Sequence, residues 1–453
     1  MKLTEKHTIR RGDARYDILD QECYKSKNLY NATLYAIRQH FFENKSYLSY
    51  YTLQSQFQKG KQPDYCALPT KVAQQTMKMV DQNFRSFFRS LKSFKANPGR
   101  FKARPRIPKY LDKSEGRYML VYTSQAISKK VLDREGKIKL SGIDVSVPTR
   151  VTFPQLCEVR VVRRPNAYVI EVVYDDEKEV MMREDNGRYA AIDLGVSNFA
   201  TVTSNVKGFR PFVADGRYIK SVNRYYNKKV SHYKSILEAR NGRKTSGRLR
   251  SLSEKRDNRV RDFLHKSSRM IVNQLVSNDI NTLIVGNNKD WKQDVNMGKT
   301  NNQSFVQLPH GRFIDLLRYK CEKEGISLVV IEESYTSKCS FLDGEEICKH
   351  ETYMGRRIRR GLFRSGSGRL INADVNGSYN ILKKCMPKAF DADGVEGVLV
   401  HPVVIKTTNG FIDFQRNSEL SEHLLFLLTC SFLHIFLPTS VQQQFPFLRT
   451  NPF

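Results

Sequence analysis

The sequence predicts a multidomain α/β protein in which a small β-barrel, interrupted by a helical bundle, precedes a mixed sheet flanked by helices. Between about residues 17 and 95, apolar residues recur at helical spacing. Short alternating runs separated by Gly, Pro and Asn follow from about 118 to 174, and from 188 apolar strands alternate with long helical stretches. The length of 453 residues allows two to four domains, and a hydrophobic content of 40% is enough to build their cores.

The N-terminal half combines the predicted barrel and the predicted helices. The barrel takes residues 1–18 and 110–180, because the segment 12–18 could add a strand to the later runs, and the helical domain of 19–109 is then an insertion. Four basic residues lie along the second long helix: Lys78, Arg85, Arg89 and Lys92. They could form a solvated helix face or contact nucleic acid, and both interpretations stay open.

The C-terminal half has the pattern of an α/β domain. Predicted strands lie near 189–193, 199–203, 211–214, 282–286 and 326–331, with a helical pair over about 217–278 and a helix over about 309–324. We assign this domain to residues 186–336 and 371–390, with a basic lobe at 337–370 between its two parts. Residues 391–453 are predicted to form a C-terminal tail.

The charge of the chain points to a polyanionic partner. The formal net charge is +30 and the pI is near 9.8, which attracts nucleic acid to any fold. Residues 217–262 hold 15 Lys and Arg against 4 acids, although one face of this helical pair is apolar. The further candidate nucleic-acid contacts are Arg243, Lys244, Arg256, Arg259, Lys266, Arg356, Arg357, Arg359 and Arg360.

Two aspartates stand where a metal site could form. Asp193 ends an apolar run beside a glycine turn, and Asp374 begins a predicted helix. Carboxylates held by a rigid sheet suit a divalent cation, because the scaffold fixes oxygens that would otherwise repel one another. Taken singly, Asp193 could be a turn residue and Asp374 a helix cap.

Four segments carry a family resemblance: IDLGVSN, RDNRVRDFLHKSSRMIV, ESYTSK and INADVNGSYNIL. They resemble the TnpB proteins of insertion sequences, relatives of type V CRISPR effectors. The resemblance implies an RNase H-like (RuvC) nuclease domain and an RNA-guided DNA endonuclease that uses Mg²⁺. It also implies a guide RNA from the transposon end and target double-stranded DNA with a short adjacent motif. Asp193 and Asp374 would then be catalytic residues that hold two ions.

The chain departs from the family pattern at the third carboxylate, because Gly286 stands where a strand usually ends in glutamate. Adjacent strands lie about 4.8 Å apart, so an acid at the end of the next strand could fill the space above Gly286. Glu332 and Glu333 are the candidates, and Glu333 is preferred because it directly precedes the turn back over the site. Otherwise the protein would be a nuclease-inactive, RNA-guided DNA-binding repressor. A DNA transposase is less favoured, because its acids would follow the order Asp, Asp, Glu.

Cysteine usage argues against structural zinc and against secretion. The lobe at 337–370 holds only Cys339, Cys348 and His350, whereas the family often uses four thiolates there, so zinc is not expected. The eight cysteines follow no short framework and are predicted to be reduced. The N-terminus is too polar for a signal peptide, and the apolar run 424–437 is too short to span a membrane. We therefore expect a bacterial cytoplasmic, nucleoid-associated protein.

Overall fold

The computed structural model describes residues 2–176, 181–242, 245–287, 307–390, 400–408 and 411–414. They form a multidomain α/β structure with two compact units, drawn from Met1–Glu179 with Ile236–Glu254 and from Val180–Ser235 with Lys255–Phe453. Arg243 and Lys244, predicted to bind nucleic acid, lie outside the described residues, as does most of the predicted tail.

The first unit combines helices with antiparallel strands. Its helices are α1 (Arg15–Asn44), α2 (Tyr50–Lys59), α3 (Pro63–Cys66), α4 (Thr70–Ala96) and α5 (Lys129–Glu135). Its strands are β1 (Lys2–Arg10), β2 (Leu120–Thr123), β3 (Lys137–Lys139), β4 (Ser146–Pro148), β5 (Leu156–Arg164) and β6 (Ala167–Asp175). Leu29, Leu34, Val72, Val80 and Phe84 are completely buried in the core that α1 and α4 share with the strands, as their spacing predicts.

The strand pairing of this unit differs from the expectation in one place. The segment 12–18 is not a strand, since α1 already begins at Arg15; the added strand is Lys2–Arg10, which pairs antiparallel with β6. Polar residues fill most of β1, so periodicity alone did not identify it. The sheet has the order β1-β6-β5-β2, with β3 and β4 as a separate ribbon. Closure into a barrel therefore stays a prediction.

The second unit contains a seven-stranded mixed sheet. Its strands are β7 (Tyr189–Leu194), β8 (Asn198–Ser204), β9 (Phe212–Asp215), β10 (Thr282–Gly286), β11 (Ser327–Ile331) and two later strands, β15 (Val403–Thr408) and β16 (Phe411–Phe414). Their order is β11-β10-β7-β8-β9-β15-β16. Its complete helices are α8 (His310–Lys323) and α9 (Ala373–Cys385). It also contains α6 (Arg217–Asn241) up to Ser235 and α7 (Gly247–Ser277) from Lys255 onward.

The two last strands correct the predicted domain boundary. Val403–Thr408 pairs parallel with β9, and Phe411–Phe414 pairs antiparallel with Val403–Thr408. Both strands thus belong to the sheet, not to the tail predicted at 391–453. Parallel pairing depends on a distant strand, so it leaves no local signal in the sequence.

The lobe at 337–370 is built around a three-stranded sheet: β12 (Arg356–Arg359), β13 (Leu362–Arg364) and β14 (Leu370–Asn372). Two carboxylates bind its loops. Glu345, 5% exposed, accepts hydrogen bonds from the backbone N–H groups of Ser340 (2.6 Å) and Met354 (3.0 Å). Asp343 accepts others from Gly366 (2.5 Å) and Ser367 (3.1 Å). These contacts hold together the segment before β12 and join it to the loop between β13 and β14.

Among the described residues, helices long and apolar enough to cross a bilayer are absent.

Candidate active site

The site lies at the carboxyl ends of three neighbouring parallel strands. β10 pairs in parallel with β7 on one side and with β11 on the other. Ile192 stands beside Val285, and Gly286 stands beside Ile331. Residues that follow these positions therefore meet at one edge of the sheet, where open α/β sheets bind their ligands.

Glu333 occupies the space above Gly286. A Cβ atom added to Gly286 would lie 2.7 Å from Oε2 of Glu333 and 2.5 Å from Cδ1 of Ile381. Real Cβ atoms are not found at such distances from other heavy atoms, so the absence of a side chain at 286 makes room for this carboxylate. Glu332 is exposed, whereas Glu333 is half-buried. The structure thus places the preferred candidate, and not its neighbour, over the glycine.

Asp374 enters the site from the first turn of α9. The Oδ1 atom of Asn372 caps this helix by accepting hydrogen bonds from the N–H groups of Asp374 (3.0 Å) and Val375 (3.2 Å). Asp374 is therefore not the cap, which leaves its carboxylate available to the cleft. Asn198, the first residue of β8, donates from Nδ2 to Oδ2 of Asp374 at 2.6 Å.

Gly377 brings α9 against Asp193. A Cβ atom at Gly377 would lie 2.9 Å from Oδ2 of Asp193, so the carboxylate rests directly on the helix. One turn of the same helix is fastened to the sheet by Ser378, whose hydroxyl donates to the carbonyls of Ala191 (3.0 Å) or Thr201 (3.2 Å). Sequence reasoning missed both residues, although each belongs to the DVNGS segment that carries the resemblance.

The charges of Glu333 and Asp374 act on the buried carboxyl of Asp193. Burial, followed by the charges of Glu333 and Asp374, raises the pKa of the Asp193 carboxyl well above its usual range, and Arg357 opposes the rise. Burial alone raises the pKa of Glu333 from 4.5 to about 7. Concentrated negative charge in a partly buried place favours a cation or a proton.

The donor set suits a hard divalent cation, since every candidate ligand is a carboxylate oxygen. As they stand, no three His, Cys, Asp or Glu side chains within the described ranges form a group ready to hold an ion. Mg²⁺ is usually held by one or two carboxylates together with waters and substrate phosphates. The arrangement therefore fits ions that arrive with nucleic acid better than a closed protein cage.

Two arginines of the lobe border the cleft beside the acids. The cleft has a volume of about 540 Å³ and is lined by Asp193, Asp374, Arg357 and Arg360 among others. Nη2 of Arg357 lies 3.4 Å from Oδ1 of Asp374, and Nη2 of Arg360 donates to Oγ of Ser197 at 3.0 Å. Both side chains can therefore reach an anion in the cleft.

The other basic candidates for nucleic-acid binding differ in their surroundings. The guanidinium of Arg256 is engaged within the protein, because it donates to Asn223 (2.8 Å), to the carbonyl of Gln307 (3.1 Å) and to Asp257 (2.9 Å). Ion pairs engage Lys266 with Asp262 and Arg85 with Asp81, both at 2.7 Å. Five further candidates are exposed: Lys78, Arg89, Arg259, Arg356 and Arg359.

Comparison with known proteins gives two family matches. Residues 170–292 match the OrfB_IS605 profile, described as a probable transposase, and residues 310–381 match the TNB domain of Cas12f1-like proteins. Together these ranges contain Asp193, Gly286, Glu333 and Asp374. The two matches thus cover the whole candidate site.

Individual relatives are more distant. A TnpB-like protein, ORF457 of Acidianus two-tailed virus, is 22% identical over 230 residues, which is 48% of this chain and 46% of that protein. The match therefore spans about half the length of the curated relative.

Solved structures resemble this chain only with low TM-scores and low sequence identity. A Cas12f1–sgRNA–target DNA complex has a TM-score of 0.33 and 16% identity, covering 84% of this chain and 98% of that chain. The mini-RNA-guided endonuclease CRISPR-Cas_phi3 has a TM-score of 0.43 and 10% identity, covering 89% and 93%. The two family profiles and the curated relative make this chain similar to TnpB proteins over the ranges that they match.

Proposed function

We propose that this chain is a transposon-encoded, RNA-guided DNA endonuclease with an RNase H-like (RuvC) site formed by Asp193, Glu333 and Asp374. The observation that carries the proposal is the Glu333 carboxylate above Gly286. It fills the place where the TnpB pattern has a glutamate, so the acid missing from one strand is supplied from the end of the next. A nuclease-inactive repressor would have no need to keep a charged side chain there.

The carboxylates would hold two Mg²⁺ ions together with the DNA phosphate. When bound, these ions supply activation of the attacking water and stabilisation of the leaving oxygen. Hydrolysis forms a bond between the water oxygen and phosphorus and breaks the bond to one bridging oxygen, which gains a proton and leaves as a hydroxyl. Because carboxylates bind metal in their ionised form, a cation would displace protons from Glu333 and Asp193.

Arg357 and Arg360 would bind the phosphate backbone at the mouth of the cleft. In the absence of nucleic acid, Arg357 lies beside Asp374, where its charge offsets that of the carboxylates. A guanidinium also contributes fixed positive charge where negative charge develops during the reaction. The same side chain can therefore position the scissile phosphate.

The partners follow from charge and family. The net charge of +30 suits a guide RNA from the transposon end and target double-stranded DNA with a short adjacent motif. Solved relatives include complexes that contain guide RNA and target DNA. We place the protein in the bacterial cytoplasm, associated with the nucleoid, and expect no structural zinc.

One experiment separates a nuclease from a DNA-binding repressor. Purified protein and guide RNA are incubated with target DNA and Mg²⁺, comparing wild type with Asp193→Ala, Glu332→Gln and Glu333→Gln, and both binding and strand cleavage are measured. We expect all four proteins to bind, and only wild type and Glu332→Gln to cleave. Binding without any cleavage by wild type would show that the site is inactive, and loss of cleavage only in Glu332→Gln would show that the wrong glutamate was chosen.

A further inference from the structure

Helix α9 carries three polar side chains at four-residue intervals: Asn376, Asn380 and Lys384. Residues four apart lie on the same face of a helix. All three bind the segment Ser334–Phe341, which follows Glu333 directly. We call this set the α9 polar stripe.

The two asparagines are fully buried and bind the backbone of that segment. Asn376 accepts a hydrogen bond from the N–H of Phe341 (3.0 Å) and donates to the carbonyl of Cys339 (2.9 Å). Asn380 donates to the carbonyls of Thr336 and Cys339, both at 2.8 Å. A buried amide is costly unless it is hydrogen-bonded, so these side chains are suited to one placement of the segment.

Lys384 extends the stripe to the residue next to Glu333. Its Nζ atom donates to the carbonyl (3.2 Å) and to the hydroxyl (2.9 Å) of Ser334. Thr336, held by Asn380, donates from Oγ1 to the carbonyl of Glu333 at 2.8 Å. Hydrogen bonds from α9 thus reach the backbone on the C-terminal side of Glu333.

Glu333 lies beyond the end of its strand. β11 ends at Ile331, whose carbonyl accepts a hydrogen bond from the N–H of Asn287 (2.9 Å). Glu333 lies two residues further on, beyond the pairing with β10. A glutamate on β10 itself would be positioned by the sheet, whereas this one depends on contacts outside it.

We propose that the α9 polar stripe positions Glu333, and that Lys384 is the member that can be tested most cleanly. This inference rests on the proposed function of Glu333 as a metal-binding carboxylate. Helix α9 also holds Asp374 in its first turn and touches Asp193 through Gly377. One helix therefore positions all three acids relative to one another. It does so for Glu333, which lies beyond the end of β11, through the hydrogen bonds of the α9 polar stripe.

The chain offers a matched control at the adjacent residue. Lys383 is also half-buried, and its Nζ atom also makes two hydrogen bonds, to the carbonyls of Gly344 (2.7 Å) and Glu345 (3.2 Å). These acceptors belong to the lobe and not to the backbone beside Glu333. Lys383→Met and Lys384→Met thus remove the same charge and the same number of hydrogen bonds. They differ in the acceptor, which is the lobe for Lys383 and Ser334, the residue after Glu333, for Lys384.

The test uses the full chain with guide RNA and measures the Kd for Mn²⁺, the single-turnover cleavage rate and the thermal midpoint. We expect Lys384→Met to weaken Mn²⁺ binding and to slow cleavage at a fixed subsaturating Mn²⁺ concentration, each about tenfold, the effect typical of lost support around a metal ligand. Lys383→Met should change both by less than about twofold, as expected for a site without shared contacts. The thermal midpoints of the two variants should be similar.

A second comparison, made in a Glu333→Gln background, tests whether Lys384 acts through Glu333. In a Glu333→Gln background, adding Lys384→Met should weaken Mn²⁺ binding no further, because the carboxylate that it positions is already gone. Equal effects of the two lysine variants, or an undiminished effect of Lys384→Met in that background, would overturn the positioning role. If wild type itself neither binds Mn²⁺ nor cleaves DNA, the proposed nuclease function fails first.

Discussion

Replacing Glu333 by glutamine should stabilise the metal-free protein. Burial raises the pKa of Glu333 from 4.5 to about 7, so the folded protein holds a proton that the unfolded chain releases between these values. Stability from this group is therefore fully present below about pH 4.5, falls as the pH rises, and is lowest above pH 7. Glutamine has no charge to bury, so the stability of the variant should not fall in this way as the pH rises.

The size of the effect follows from the same two values. The interval from 4.5 to about 7 corresponds to about 3 kcal/mol at a pH above both. Solvent screening at a half-buried site lowers this figure, so we expect a gain of about 1–3 kcal/mol at pH 8. At pH 4 the difference should nearly vanish, since Glu333 is then protonated in the folded protein.

Urea unfolding in EDTA at pH 4 and pH 8 measures this difference. Glu332→Gln is the matched control, because Glu332 is the exposed neighbour and should give no change at either pH. Adding Mg²⁺ at pH 8 should stabilise wild type more than Glu333→Gln, since binding to the folded state alone stabilises it. A Glu333→Gln variant that is less stable than wild type at pH 8 without metal would refute the reasoning.

Three further changes test the surroundings of the site. Gly377→Ala should stabilise the helix by up to about 1 kcal/mol, so the thermal midpoint should not fall. The added methyl group should displace the Asp193 carboxylate. We therefore expect the cleavage rate to fall at least tenfold, as when a reacting group is misplaced by about 1 Å. Gly286→Ala should displace Glu333 and reduce Mn²⁺ affinity in a binding titration, whereas unchanged affinity would show that the carboxylate above it holds no ion. Asp343→Asn should weaken the two hydrogen bonds from backbone N–H groups and lower the free energy of unfolding, measured in urea, by about 1–3 kcal/mol. An unchanged free energy of unfolding would show that this carboxylate does not stabilise the lobe.

The position of Glu333 was predictable because two general rules apply to it. Parallel strands end at one edge of a sheet, and neighbouring strands lie within reach of a glutamate side chain. The sequence alone therefore relates Gly286 to the acids after Ile331. The choice between Glu332 and Glu333 depends on which side chain is less exposed, and Glu333 is the half-buried one of the two.

Other features depend on packing that no local pattern records. Gly377 has the ordinary appearance of a helical glycine, and its contact with Asp193 depends on the packing of α9 against β7. Arg256 has the same charge as its neighbours, yet its guanidinium is engaged by protein acceptors. The strand Val403–Thr408 finds its partner β9 across a long stretch of chain. Each depends on a tertiary contact that periodicity and charge cannot supply.

The central claim is that Glu333 replaces the glutamate missing at position 286. Its most direct measurement is the single-turnover rate of guide-directed DNA cleavage in Mg²⁺, compared between Glu333→Gln and Glu332→Gln at equal occupancy of the target. We predict a loss of at least about 100-fold for Glu333→Gln and a rate near that of wild type for Glu332→Gln. Full cleavage by Glu333→Gln would contradict the account.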